Sequence, residues 1–417
     1  MKTSPSILER GPRQNPDPSK RPRLEEVASA ASEAASAARL RVLHVINSLG
    51  VGGTERGVIK IANGTDSRAF EHRICTVRGF DAEFAEASGV REKLLPLASE
   101  GGFQFLVFRL ARVMRMYKPH IVHSRNWGAI ETALAGRLAG VPVVIHSEHG
   151  YELDMLSGLP LRRRLLRRGV YQLCDSVFTV SRDLQAYHSK QGWILRERVG
   201  VIRNGVDTQL FSPDAVVRAE TRSRLDVSAE TVVLGAVGRM VPLKDHATLL
   251  RAAEALVGRG HQVHVLLVGG GPELEKHRNH ARNSAALRER VTFAGSELEV
   301  SDLYKAMDVF VLPSICEGMS NTLLEAMASG VPCVATNVGG NTELISDAGC
   351  GFLFEAGDAA GLGGLLEELI RSPELRARFS EAGRREAVAR FDLARMIGDY
   401  ANLYRELAAK RGIFSGN

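Results

Sequence analysis

Apolar residues in this chain fall into short runs that alternate with stretches of helical period. From Arg41 onward, RVLHVI, HRICTV, HIVHS, VPVVIHS, SVFTVS and VGVI read as strands, each closed by a polar or glycine turn. A second series begins after the FSP turn near Phe211: TVVLGAVG, VHVLLVG, RVTFAG, VFVLP, PCVAT and GFLF, with helices between them such as Asp245 to Arg259 and Asn321 to Ser329. Runs this apolar on both faces belong to parallel strands covered by helices. The pattern predicts an α/β protein with two successive doubly wound sheets, a class that binds ligands beyond the carboxyl ends of its strands. A last helix, about Asp392 to Lys410, aligns Leu393, Met396, Tyr400, Leu403, Tyr404 and Leu407 on one face, which needs a surface to pack on.

The 417 residues exceed what one core organises, so two domains are expected over 40–212 and 213–390, with the last helix at 391–410. Residues 1–39 hold Pro, Ser and charged clusters and the run EEVASAASEAASAA; with no large side chain to bury, this segment reads as a disordered tail. Five cysteines, Cys75, Cys174, Cys316, Cys333 and Cys350, make no C-x-x-C pair, which argues against a zinc site or a disulfide framework and fits a reducing cytoplasm. No run approaches the roughly 18 apolar residues that span a bilayer, and the N-terminus lacks an apolar signal-peptide core.

The net charge of +6 points to an acidic partner. The densest basic run is LRRRLLRR, where Arg162, Arg163, Arg164, Arg167 and Arg168 alternate with leucine pairs at about the helical period. It reads either as a solvated helix or as a dock for anionic lipid headgroups or a lipid pyrophosphate. Without interleaved aromatics it is no platform for nucleic acid.

Candidate chemistry gathers at strand ends. After the first strand, Gly52 and Gly53 precede a helix start, where free N–H groups and the helix dipole favour phosphate. Arg239 and Lys244, five residues apart in AVGRMVPLKDH, can both reach one diphosphate; each contact is on the order of 4 kcal/mol at 4 Å and an effective dielectric near 20, before desolvation. In VLPSICEGMSNTLLEAMASGVPCVAT, the backbone of Gly318, Met319, Ser320 and Asn321 would face that diphosphate. Glu317 and Glu325 lie eight residues apart, about 12 Å along a helix, which suits the sugar and ribose ends of a nucleotide sugar. A competing role for Glu325 is the capping box Thr322-x-x-Glu325. In the first half, His123, Arg125, Glu148 and His149 end two strands and are candidates for sugar or acceptor contact, His149 foremost. LLVGGGPE has Leu at position 274, so the G-x-G-x-x-G dinucleotide fingerprint is absent; D-x-D and the phosphate-binding G-x-x-x-x-G-K-[ST] loop are absent too.

Over roughly Arg41 to Leu407, EGMSNTLLEAMASGVPC, VGR(x4)K, IRNGVDTQLF and NVGGNTELI in this order resemble glycosyltransferase family 4, the retaining enzymes of GT-B fold. The resemblance implies that Arg239 and Lys244 hold the donor phosphates, Glu325 the ribose, and Glu317 with the Gly318 to Ser320 backbone the sugar. It also implies that Gly52 and Gly53 contact the diphosphate or acceptor and that His149 lies beside the sugar. The 40–212 domain would then bind acceptor, 213–390 the nucleotide sugar, and the last helix would cross back onto the first domain. Many members carry H-x-H where this chain has His123-Ser-Arg125. LHVINSLGVGGTERG with SRNW and SEHG is most similar to the sugar transferases of bacterial exopolysaccharide clusters. The expected activity is metal-independent, cofactor-free transfer of a hexose from a nucleoside diphosphate sugar to a glycan or lipid-linked acceptor, with retention, in exopolysaccharide or cell-surface glycan synthesis. A nucleotide-sugar 2-epimerase of related fold and a non-catalytic nucleotide-sugar-binding module remain as alternatives.

Overall fold

The computed structural model describes residues 39–97, 103–151, 159–296 and 299–413; the tail expected over 1–39 lies, apart from Arg39, outside them. The first sheet runs β1 Leu40–Ile46, β2 Phe70–Thr76, β3 Leu94–Pro96, β4 Ile121–Arg125, β5 Val143–Glu148, β6 Ser176–Thr179 and β7 Val199–Val201. The second runs β8 Val232–Val237, β9 Val263–Val268, β10 Val291–Gly295, β11 Val309–Leu312, β12 Cys333–Thr336 and β13 Gly351–Phe354. Their strand orders are β3-β2-β1-β4-β5-β6-β7 and β10-β9-β8-β11-β12-β13, and every strand pair is parallel. This is the two-domain GT-B architecture. Twelve of the strands are those of the apolar pattern; β3, three residues long, is too short to show a period.

Helices cover both faces of each sheet because the strands are apolar on both: all four residues of β11 and of β12 are buried. Order reverses between β1 and β4 and between β8 and β11, so each sheet has its crevice at that switch point. The loops after β1, β4 and β5 therefore meet the loops after β8 and β11.

The chain crosses between the sheets twice. The first crossing, just after β7, lies beside the second: Val206 N–H donates to the Phe391 carbonyl at 2.8 Å and Leu393 N–H to the Val206 carbonyl at 2.9 Å. Arg395 donates Nη2 to the carbonyls of Arg203 and Asn204 at 3.0 and 3.1 Å. Arg384 donates to those of Thr208 and Phe211, both at 2.8 Å, and of Ala328 at 2.7 Å. From Asp392, whose side chain caps the helix at Ala394 N, Leu393–Lys410 runs back across the first sheet. There Met396, Tyr400, Tyr404 and Leu407 pack with Leu40, Val42, Phe70, Ile121 and Phe178. Burying each large apolar side chain contributes about 1.5–3 kcal/mol, and this supplies the surface that the helix's apolar stripe requires.

The crossing admits no side chain at Gly205, where a Cβ would stand 2.8 Å from Met396 Cβ and 3.0 Å from Leu393 Cα. Gly205→Ala is expected to lose about 1–3 kcal/mol of stability in urea denaturation. An unchanged midpoint would show that the two crossings have slack.

Candidate functional site

Between the sheets lies a cleft of about 500 Å³. From the second domain, Arg239, Lys244, Glu317, Gly318, Met319, Ser320, Asn321 and Glu325 line it; from the first come Gly52, Gly53 and His149. Eleven residues singled out from the sequence thus meet in one space. Two side-chain hydrogen bonds cross it: Asn321 Nδ2 donates to the Gly53 carbonyl at 3.3 Å and Asn204 Nδ2 to the Met319 carbonyl at 3.0 Å.

Glycine-rich segments build the loops that carry the charges. Gly269 and Gly271 adopt positive φ, 137° and 145°, and a Cβ on either would strike the Gly238 or Met240 carbonyl, at 1.9 and 2.5 Å. The triple glycine after β9 is thus a platform under the Arg239 loop, which it also holds through Met240 N–H to the Gly270 carbonyl at 2.8 Å. Gly339 and Gly340 do the same for the Glu317–Gly318 loop, where Gly340 N–H donates to the Gly318 carbonyl at 3.0 Å. Gly318 in turn sits against the first domain: a Cβ there would lie 2.3 Å from the His149 carbonyl oxygen.

Helix Asn321–Ala328 starts at the cleft with Ser320 as its cap, the side chain accepting from Leu323 N–H at 3.2 Å, so the capping box expected of Thr322 and Glu325 does not form. Glu325 is free of that role. It is buried and accepts from the Tyr304 hydroxyl at 2.9 Å. Burial raises its pKa, opposed by Lys60, the Tyr304 hydrogen bond and Arg56. Lys244 Nζ is paired with Glu317 Oε1.

Three candidates stand behind the cleft wall instead of in it. His123 and Arg125 are buried in β4 and Glu148 at the end of β5, with at most 2% of their surface exposed, and none can touch a ligand in this arrangement. Strand-end position alone had put them in the cleft; both faces of β4 and β5 are covered, so side chains on either face are buried. Glu148 Oε1 lies 3.2 Å from Arg167 Nη2 and accepts from Tyr171 at 3.2 Å. Burial acts to raise its pKa, yet His188, the Arg167 guanidinium and the His146 ring hold it well below the carboxylate range.

Arg167, read from the sequence as part of either a solvated helix or a lipid dock, is thus an interior partner of Glu148. Its neighbours on helix Leu161–Leu173 are engaged as well: Arg163 stacks 4.3 Å over Trp127 and Arg164 4.2 Å over Trp193, while Arg168 Nη1 donates to the Trp193 carbonyl at 2.5 Å. Aromatic partners distant in sequence use these cations, and of the five only Arg162 is exposed.

Cleft-lining residues missed from the sequence include Arg56, Tyr151, Ser296 and Cys316. Arg56 had a signal: it lies three residues beyond Gly53, in the first turn of the helix that the glycines introduce. Tyr151, Ser296 and Cys316 had none.

Residues 217–386 match the family model described as glycosyl transferases group 1, and residues 51–210 that of Glycosyltransferase Family 4. The chain is 30% identical over 391 residues to EpsF of Bacillus subtilis (strain 168), named as a glycosyltransferase, covering 87% of this chain and 96% of that one. It is 26% identical to UDP-Gal:alpha-D-GlcNAc-diphosphoundecaprenol alpha-1,3-galactosyltransferase of Escherichia coli, covering 72% and 79%. Among solved structures, HepE of Anabaena, crystallised with UDP and with UDP-glucose, superposes with TM-scores of 0.76 and 0.75 at 22% identity, covering 88% of this chain and at least 99% of that one.

The histidines behind the cleft predict how stability depends on pH. Burial first, and for His44, His123 and His149 the charge of Arg125 next, push their pKa values down; His72 and His149 fall to about 3, His188 to about 4 and His246 to about 3. The folded chain keeps these rings neutral while the unfolded chain takes up protons below about pH 6.5, so stability is lost as pH falls from 6.5 towards 4, by about 1.4 kcal/mol per unit for each ring. Urea denaturation between pH 7.5 and 4.5 checks this; a flat profile contradicts neutral buried rings.

Proposed function

We propose, because this chain belongs to glycosyltransferase family 4, that it moves a hexose from a nucleoside diphosphate sugar to a glycan or lipid-linked acceptor, with retention of anomeric configuration and no metal ion. The observation that carries this reading is the convergence of Arg239, Lys244 and the N-terminus of helix Asn321–Ala328 on one cleft that also holds Glu317, Glu325 and His149. Two cations and a helix dipole supply the charge that a metal would otherwise bring to a departing diphosphate.

In the proposed reaction the bond from the anomeric carbon to the diphosphate oxygen breaks, its electron pair staying on the diphosphate beside Arg239 and Lys244. The acceptor hydroxyl attacks on the same face and its proton passes to the diphosphate oxygen, so no carboxylate base is needed. Glu317, released from Lys244 as phosphate takes that cation, turns to the sugar hydroxyls, and Glu325 reads the ribose. His149 approaches the sugar from the first domain. UDP in the HepE crystals and the lipid-linked acceptor in the E. coli relative's name support a uridine nucleotide and an undecaprenyl-type acceptor, and EpsF supports a place in exopolysaccharide synthesis.

Arg239→Ala and Lys244→Ala are each expected to lower kcat/KM about 10²–10³-fold, or roughly 2.7–4 kcal/mol. UDP-hexose with a chelator present should raise Tm in the wild type, and Glu325→Ala should abolish that rise. Wild-type kcat/KM in either cation variant would sink the assignment.

Among the described residues no helix is long and apolar enough to cross a membrane. A lipid-linked acceptor nevertheless calls for contact with a bilayer, and helix Phe103–Tyr117 fits that role better than the occupied arginine run. Its outer face leaves Phe105 69%, Phe108 66% and Met116 51% exposed, with Arg112 exposed between them. Aromatic side chains beside a cation suit an anionic bilayer surface. Sedimentation with vesicles containing anionic lipid should retain the wild type and release Phe105→Ser/Phe108→Ser; equal retention of both would refute this placement.

A further inference from the structure

Behind the cleft, His149 belongs to a continuous line of hydrogen bonds that ends on the C-terminal helix. His149 Nε2 lies 2.9 Å from Ser147 Oγ, Ser147 Oγ lies 2.9 Å from His123 Nε2, and His123 Nδ1 lies 2.8 Å from the Tyr404 hydroxyl. All but His149 are fully buried. Beyond Tyr404 stands Arg125, whose guanidinium is beside the hydroxyls of both Tyr400 and Tyr404.

This line has a direction because the phenol hydroxyl at its end carries a single proton. Among the described residues the Tyr404 hydroxyl bonds to His123 Nδ1, so its single proton goes there; with His123 Nδ1 as donor instead, the buried hydroxyl proton would be left unpaired, at a cost of about 1–3 kcal/mol. His123 then carries its proton on Nε2 and donates to Ser147. The Ser147 proton is left for His149 Nε2, and the His149 proton is forced onto Nδ1. A second line starts from Arg125, which only donates: Arg125 Nη1 donates to His44 Nδ1 at 3.0 Å, His44 Nε2 to His72 Nδ1 at 2.8 Å and His72 Nε2 to Thr65 Oγ1 at 2.7 Å, and the Thr65 hydroxyl ends it on the Ile61 carbonyl at 3.1 Å. That line closes on an atom that can only accept, as the direction demands. Both histidines of the first line stay neutral at pH 7, so the tautomer decides what His149 offers.

We propose that Tyr404, His123 and Ser147 are positioning residues that fix His149 as its Nδ1–H tautomer, making the ring a hydrogen-bond donor on the side away from Ser147. Among the described residues Nδ1 has no protein partner, and His149 lines the cleft, so this donor is available to a hydroxyl of the bound sugar. The ring is also pinned through its backbone: His149 N–H donates to Asn126 Oδ1 at 2.8 Å, and Asn126 holds a left-handed φ of 57° while its Nδ2 reaches Thr54 Oγ1 at 3.3 Å. The crossing helix thereby contributes Tyr404 to the machinery of the cleft as well as apolar surface to the first sheet. The functional half of this inference rests on the reading of His149 as the side chain beside the sugar.

The test is long-range nitrogen-15 NMR of the histidine rings in the full chain, with His149 assigned by its disappearance in His149→Gln. The wild type should show neutral His149 protonated on Nδ1, and Tyr404→Phe should shift it to a mixture or to the Nε2–H form. Transfer should fall about 10–100-fold in kcat in Tyr404→Phe and Ser147→Ala, with KM for UDP-hexose unchanged, and recover in Ser147→Thr, which restores the hydroxyl. A wild-type ring protonated on Nε2, or a tautomer unmoved by Tyr404→Phe while Tm alone falls, would overturn the inference. Wild-type transfer by His149→Ala would instead overturn the placement of His149 beside the sugar, and the positioning role with it.

Discussion

The backbone pairing of the two inter-domain crossings, at Val206 with Phe391 and Leu393, is what every feature of the cleft depends on. Each sheet alone presents a switch-point crevice with half a site: cations and carboxylates on one, a glycine turn and a histidine on the other. The pairing, tightened by Arg384 and Arg395 on the crossing's carbonyls, sets how these halves face each other. Contacts between the two walls include Asn321 Nδ2 on the Gly53 carbonyl and, beside the cleft, Glu343 of the second domain, which accepts from Arg182 N–H at 2.6 Å and lies 3.7 Å from Arg203.

Behind the cleft the first domain is unusually polar for a core. Arg125, His44, His72, His123, His146, Glu148, Arg167 and His188 are all buried, organised around two arginines. Arg167 neutralises Glu148, and Arg125 orients the His44 ring. A buried charge left without its partner carries a desolvation penalty of several kcal/mol, so such a network tolerates few arrangements and holds the loops after β4 and β5 in one geometry. Rigidity on this side complements the second domain, where glycine carbonyl stacks support the Arg239 and Glu317 loops.

Much of this was legible in the chain. Twelve strands, the helices between them and the apolar stripe of the last helix follow from local periodicity, and the clustering of Arg239, Lys244, Glu317, Glu325, Gly52 and His149 follows from their places after strand ends in sheets of known habit. Misplaced residues share one cause. His123, Arg125 and Glu148 sit at strand ends, but both faces of β4 and β5 are covered by helices from elsewhere in the chain, the last helix against His123 and helix Leu161–Leu173 against Glu148. The arginine run had the period of a surface helix, yet Trp127, Trp193 and Glu148 claim it from elsewhere in the sequence.

By itself, then, the sequence determined twelve of the strands described, their parallel pairing and the chemical types assembled at the cleft, because strand and helix periods and glycine turns act over a few residues. Only the tertiary structure decided which polar groups face the ligand space and which face one another, that Glu325 is released from helix capping by Ser320, and that Tyr404 lies within reach of His123 across 281 positions. Those outcomes depend on which desolvated groups find partners, and burial brings those partners together without regard to their distance along the chain.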